Sequence, residues 1–120
     1  MLSLSAGVPV HFALGATDMR KSFNGLIALT QRELQRDPLS GHVFAFCNRR
    51  RNLLKLLFWD GTGFWVLAKR LESGTFAWPR SAQDRPGSED LAVILAGLDP
   101  AKVTRRGWWR LDPTGVAASL

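Results

Sequence analysis

The sequence predicts an α+β fold: an antiparallel β-meander of four or five strands packed against one long helix, with a second, short helix near the C-terminus. Two patterns predict it. Residues 43–79 contain apolar runs separated by turn residues, which is typical of consecutive strands. Residues 18–36 instead place apolar side chains at helical spacing. The chain has 120 residues, 46% of them hydrophobic, which suffices for one domain with a single core.

The first strand and the long helix are predicted from the N-terminal third of the chain. Residues 8–14 alternate enough to form a strand, and residues 15–18 then turn into the helix. Thr17 or Asp18 is expected to cap that helix with its side-chain oxygen. Asp37-Pro38 is expected to end it, since the residue before proline disfavours helical geometry. The predicted buried stripe consists of Met19, Phe23, Leu26, Ile27, Thr30 and Leu34.

The meander is predicted from turn signals. Asp60-Gly61 supplies the residue types that a tight hairpin requires. Residues 48–52 form the other connection. The expected strands are residues 42–47, 53–59 and 63–69, with a short further strand at 75–78.

A short helix is predicted at residues 89–97, with Ser88 as its cap. Residues 1–98 are therefore expected to form one domain. The pattern weakens beyond Asp99, and residues 99–120 are expected to form a partly ordered tail.

Positive charge is the clearest indication of function. The formal net charge is +6, which favours a polyanionic partner. Arg49, Arg50 and Arg51 are consecutive at one predicted bend, where guanidinium groups can bind phosphates. The alternative is a solvated loop that only keeps the protein soluble. The full set of predicted DNA-binding residues is Arg49, Arg50, Arg51, Lys55, Lys69 and Arg70.

Two other features could contact a partner. The exposed face of the long helix carries basic residues, but no helix-turn-helix pattern accompanies it. Trp108 and Trp109 lie among arginines in the tail, where they could bind a partner protein or stack on unpaired bases. Folding of the tail back onto a sheet face is the alternative explanation for this pair.

The sequence argues against catalysis and against a cofactor. Asp18, Asp60 and Glu72 are the only carboxylates that invite a metal-site hypothesis, and turns, caps or pairing with Arg70 explain each of them. His11 and His42 have no neighbours at metal-ligand spacing. Cys47 is the only cysteine, which excludes an intrachain disulfide and favours a reducing compartment. The prediction is a non-enzymatic cytoplasmic protein without signal peptide or membrane span.

Several blocks of the sequence resemble a known family. The first, GATDMRKSFNGL at residues 15–26, resembles that family's "TDMRkgFdGL" signature. Further similar blocks follow in order at residues 41–46, 48–55, 59–61, 69–76 and 78–79. Together they resemble TnpB, the accessory protein from the second reading frame of bacterial insertion sequences of family sixty-six. The resemblance covers about residues 5–98.

The resemblance implies an accessory role in transposition, beside a separate transposase that carries the catalytic acidic residues. The leading hypothesis is a non-catalytic factor that contacts DNA through the basic hairpin loop. The alternative is an adaptor that docks onto the transposase through Trp108, Trp109 and exposed sheet surface, without binding DNA. The expected partners are DNA, the transposase and other proteins of the same element. A homo-oligomer is left open.

Overall fold

A computed structural model describes residues 7–81, 84 and 87–99. Its four strands form one sheet in the order β1-β2-β3-β4. They are β1 (Val10–Phe12), β2 (Val43–Cys47), β3 (Leu53–Trp59) and β4 (Phe64–Arg70). The helices are α1 (Phe23–Arg32), between β1 and β2, and α2 (Ser88–Leu95), after β4. The α+β class is confirmed.

The sheet is mixed, so the prediction of a purely antiparallel meander is wrong. β2, β3 and β4 pair antiparallel, but β1 pairs parallel with β2, with His11 opposite Phe44. The reason is the connection. A parallel pair needs a crossover, and the segment containing α1 carries the chain from the end of β1 back to the start of β2.

The sheet has an apolar cluster on each face because successive strand residues point to opposite sides. On one face, Phe44, Phe46 and Leu57 pack with Leu26 of α1. The opposite face carries the larger cluster, which α2 and the segment after β4 complete. Its buried members are Val43, Ala45, Cys47, Leu54, Leu56, Phe58, Phe76, Trp78, Leu91 and Ile94. All five residues of β2 are buried, so this strand forms the centre of the core.

The predicted helix at residues 18–36 is too long at both ends. Lys55 of β3 donates from Nζ to the carbonyls of Met19 and Lys21 at 2.8 Å each, which holds these carbonyls outside the helix. Asp18 binds Arg20 instead of capping, and Ser22 occupies the N-cap position without a side-chain bond. At the other end, α1 stops at Arg32, well before Pro38. Gln35 follows with a left-handed φ of 51°, a conformation that commonly ends helices.

Residues 75–78 form no strand, contrary to the prediction. Their order comes from single contacts with distant segments. Phe76 donates its N–H to the carbonyl of Arg51 at 2.7 Å, and Trp78 donates from Nε1 to the carbonyl of Ala13 at 2.7 Å. Both side chains are buried. One backbone hydrogen bond and one indole hydrogen bond do not make the regular backbone pairing that defines a β-strand.

The second helix begins one residue earlier than predicted and ends two residues earlier. Gly87 is its N-cap, and the N–H of Gly87 donates to Oδ2 of Asp90 at 2.9 Å, so the predicted Ser88 cap is wrong. The predicted tail lies outside the described residues, apart from Asp99. In the described part of the chain, neither helix has the length and apolarity to cross a membrane.

The two histidines are partners, a contact that the sequence reading missed. Nε2 of His11 and Nδ1 of His42 are 2.9 Å apart, and the His11 ring stacks on Phe44 at 5.3 Å. Parallel pairing of β1 with β2 brings them together. Burial lowers the pKa of His11 below its ordinary value of 6.5, and the positive charge of Arg36 and the His42 ring act in the same direction.

We expect His11 to make the protein less stable in mild acid. The unfolded chain takes up this proton near pH 6.5, whereas the folded chain takes it up only at lower pH. Below about pH 6.5 the unfolded chain therefore binds more protons than the folded chain, so the free energy of unfolding should fall as the pH drops from neutral through this range. Urea titrations across this range should show a flatter pH profile for His11→Phe. Equal slopes for both proteins would contradict this assignment.

Candidate nucleic-acid interface

The arginine loop, residues 48–52, joins β2 to β3 and is organised by Asn48. Oδ1 of Asn48 accepts the N–H groups of Asn52 at 3.0 Å and Leu53 at 3.1 Å. Its Nδ2 donates to Oδ1 of Asn52 at 2.7 Å. The backbone N–H of Asn48 also donates to the carbonyl of Leu53 at 3.0 Å. One side chain therefore closes the loop by bonding its first residue to its last.

Arg51 points back into the protein. It adopts a φ of 59°, in the left-handed region. Its guanidinium donates to the carbonyl of Leu14 at 2.9 Å and lies 5.7 Å from the ring centre of Trp78, a cation–π distance. Nη1 is buried without a hydrogen-bond partner among the described residues. These contacts tie the loop to the segments after β1 and β4.

Arg49 and Arg50 are the exposed members of the run. Within the described part of the chain, neither side chain forms a hydrogen bond or an ion pair. Both guanidiniums therefore keep their full set of donors for an external acceptor. The backbone beneath them is held by the hydrogen bonds of Asn48 and Arg51.

The other three predicted basic residues do not form one patch with the loop tip. Lys55 bonds to two carbonyls, as described above. Lys69 donates from Nζ to the carbonyl of Leu95 at 2.7 Å, at the end of α2. Arg70 is exposed and lies 3.6 Å from Glu72. Lys55 and Arg70 lie on the α1 face of the sheet and Lys69 on the α2 face, because β4 pairs Ala68 with Lys55. Their contact with DNA stays a prediction.

The three carboxylates considered for a metal lie in separate local structures. Hydrogen bonds from Arg20 hold the pKa of Asp18 well below its ordinary value. The N–H of Thr62, the indole of Trp65 and the N–H of Gly63 do the same to the pKa of Asp60. Glu72 lies beside Arg70. The described residues include no group of three or more His, Cys, Asp or Glu that could hold a metal ion.

Sequence reasoning located the loop but did not find the residue that builds it. Asn48 falls within the predicted loop, and asparagine side chains commonly bond to nearby backbone at turns, which is the signal that could have identified it. The role of Lys55 had no sequence signal, since its two acceptors lie more than thirty positions away. Trp108 and Trp109, the predicted partner-binding pair, lie outside the described residues.

Comparisons with known proteins identify one matching family and two similar proteins. A family model described as IS66 Orf2 like protein matches residues 8–105. The uncharacterized protein y4jC of Sinorhizobium fredii (strain NBRC 101917 / NGR234) is 35% identical over 98% of this chain and 100% of its own length. The uncharacterized protein y4hO of the same strain is 38% identical over 82% of this chain and 88% of its own.

No solved structure matches the chain significantly. The family match covers the described core, including both the arginine loop and the segment before α1. The resemblance seen in the sequence is therefore confirmed: the chain belongs to the IS66 Orf2-like family of insertion-sequence proteins.

Proposed function

We propose that the protein is a non-catalytic accessory factor for transposition that contacts DNA through Arg49 and Arg50. Family membership suggests the transposition-related accessory role. The observation that carries the DNA contact is the division within the arginine run. The Arg51 guanidinium bonds inward to the Leu14 carbonyl. Arg49 and Arg50 project from the closed loop without partners among the described residues.

Two adjacent guanidiniums on a rigid tip suit a phosphate backbone. Each can donate two parallel hydrogen bonds to phosphate oxygens, and such charge-assisted bonds are stronger than neutral ones. Phosphate contacts carry no sequence information by themselves. The loop tip is therefore expected to position the protein on DNA, with any sequence preference coming from elsewhere in the transposition complex.

The carboxylates support a helper more than a nuclease. Two-metal strand transfer requires carboxylates that converge on shared ions. Asp18 and Asp60 are instead occupied by an arginine and by turn N–H groups, respectively. Their side chains serve the backbone geometry of two separate turns.

Direct binding is tested with the full chain and labelled end DNA of the element, measured by fluorescence anisotropy at several salt concentrations. Binding through phosphates releases counterions, so the affinity should fall steeply between about 50 and 200 mM salt. An affinity that does not change with salt would contradict phosphate contact.

The adaptor hypothesis predicts the opposite result for the same protein and end DNA. An adaptor should not bind the isolated DNA at any salt concentration, and it should co-purify with the transposase after nuclease digestion. Substitution of Trp108 and Trp109 by alanine should then weaken the association. That combination of results would replace the DNA-contact proposal.

A further inference from the structure

The outer edge of β4 has no partner among the described residues. β4 pairs with β3 along all seven residues, from Phe64 opposite Trp59 to Arg70 opposite Leu53. Among the described strands, β4 is the last in the strand order. The other edge strand, β1, is only three residues long. Short edges resist pairing with other chains, whereas a long regular edge is a template for it.

The backbone groups on that edge can be assigned from the hairpin. The N–H of Asp60 donates to the carbonyl of Gly63, and the N–H of Leu71 donates to the carbonyl of Asn52. Hydrogen-bonded pairs alternate along an antiparallel ladder, so the odd-numbered residues of β4 bond to β3. The even-numbered residues point their N–H and C=O groups outward. They are Phe64, Val66, Ala68 and Arg70.

The side chains of β4 are apolar at one end and cationic at the other. Phe64 and Trp65 begin the strand, and 44% of the Trp65 surface is exposed. Lys69 and Arg70 end it. An antiparallel copy of this strand would place each aromatic end beside the cationic end of the other copy. The edge is complementary to itself.

We propose that β4 pairs antiparallel with β4 of a second copy, about a twofold axis at Leu67. Twofold symmetry requires an antiparallel pairing of identical edges. With Leu67 at the axis, Val66 lies opposite the partner's Ala68, and Phe64 lies opposite the partner's Arg70. All four outward-facing residues of each copy then find partners, giving about eight inter-chain hydrogen bonds. A symmetric register centred one residue away leaves some of these groups unpaired.

Electrostatics favour this register. Trp65 and the partner's Lys69 form a non-hydrogen-bonded pair, in which side chains approach most closely. Phe64 and the partner's Arg70 lie together on the other face. Both pairs set a cation beside an aromatic ring, a favourable arrangement. The two Arg70 side chains are six residues apart along the strands, about 20 Å, so their mutual repulsion is weak.

The dimer would be a continuous eight-stranded sheet, with one arginine loop near each end of the interface between the two β4 strands. The loop adjoins the Arg70 end of β4, because Asn52 bonds to Leu71. The pairing itself does not depend on DNA binding, so it can be tested separately.

The other candidate occupant of the edge is the C-terminal segment, residues 100–120. That segment carries Lys102, Arg105, Arg106 and Arg110, which would add positive charge beside Lys69 and Arg70.

The test is cysteine cross-linking of the full chain. At the axis, Leu67→Cys places two sulfurs on a non-hydrogen-bonded pair whose Cα atoms are about 4.5 Å apart, within disulfide range. The matched control Ala68→Cys places its cysteines about 8 Å apart, beyond that range. We expect mild oxidation to convert most of the first variant, and little of the second, into a disulfide dimer. Wild type, with its buried Cys47, should stay uncross-linked.

A second variant tests dimerisation independently, in case the cysteine substitutions disturb folding. The N–H of Ala68 faces away from β3, so Ala68→Pro removes an edge donor without breaking the β3–β4 ladder. We expect sedimentation to show a dimer for wild type and a folded monomer for this variant. A wild type that stays monomeric at high micromolar concentration would overturn the proposal. So would equal cross-linking at positions 67 and 68. Monomers with β4 edge amides protected from hydrogen exchange would assign the edge to residues 100–120 instead.

Discussion

Replacing Arg49 and Arg50 together by alanine should weaken DNA binding by about 30- to 150-fold. Each exposed guanidinium is proposed to make a charge-assisted phosphate contact with a net contribution of about 1–1.5 kcal/mol. Removing two contacts should also flatten the plot of log affinity against log salt by about 1.8 units. The thermal stability should not change, because neither side chain bonds to the described part of the protein.

The matched control removes the same charge elsewhere. Arg32 and Arg36 are exposed at and beyond the end of α1. Alanine at both positions lowers the net charge equally, so it separates a local contact from general attraction. We expect the control to lose only a few-fold in affinity. An equal loss in both double variants would show that total charge, not the loop tip, determines binding.

Asn48→Ala should destabilise the protein by about 2–4 kcal/mol. The asparagine side chain makes three part-buried hydrogen bonds with nitrogen donors, to the N–H groups of Asn52 and Leu53 and to the Asn52 side chain, and its Oδ1 also accepts a weak one from Sγ of Cys47 at 4.0 Å. Each contributes about 1 kcal/mol, and the two N–H groups would lose a half-buried acceptor. The measurement is the midpoint of urea unfolding at neutral pH.

Two comparisons sharpen that result. Asn48→Asp keeps the Oδ1 acceptor but loses the Nδ2 donor, so its stability should fall between wild type and alanine. Asn24→Ala removes an exposed asparagine of α1 and should change stability by less than about 0.5 kcal/mol. If Asn48→Ala were as stable as Asn24→Ala, the loop would not depend on this side chain.

Local signals predicted the hairpins well and the long-range pairing poorly. β3 has the predicted bounds, because a loop and the Asp60-Gly61 turn delimit its apolar run. The direction of β1 could not be predicted, since an apolar run looks the same in a parallel and an antiparallel pair. The helix was predicted too long because Met19 has helical spacing, yet Lys55 binds its carbonyl from a distant strand.

Long-range contacts also limited what the sequence could predict about the candidate site. Three consecutive arginines predicted a cationic loop, but the sequence could not distinguish the inward residue from the outward ones. That distinction comes from the left-handed φ of Arg51 and from two distant partners, Leu14 and Trp78. Charge patterns indicate where a polyanion could bind, whereas burial decides which cations remain available.

The most direct test maps the protein–DNA contact by photo-cross-linking. Labelled end DNA with photoreactive groups along its backbone would be irradiated with the full chain, and the modified peptides identified by mass spectrometry. We predict that the adducts concentrate on residues 48–52 and disappear in the Arg49→Ala, Arg50→Ala double variant. Adducts confined to α1 or to residues 100–120, unchanged in that variant, would contradict a role for the arginine loop in DNA contact.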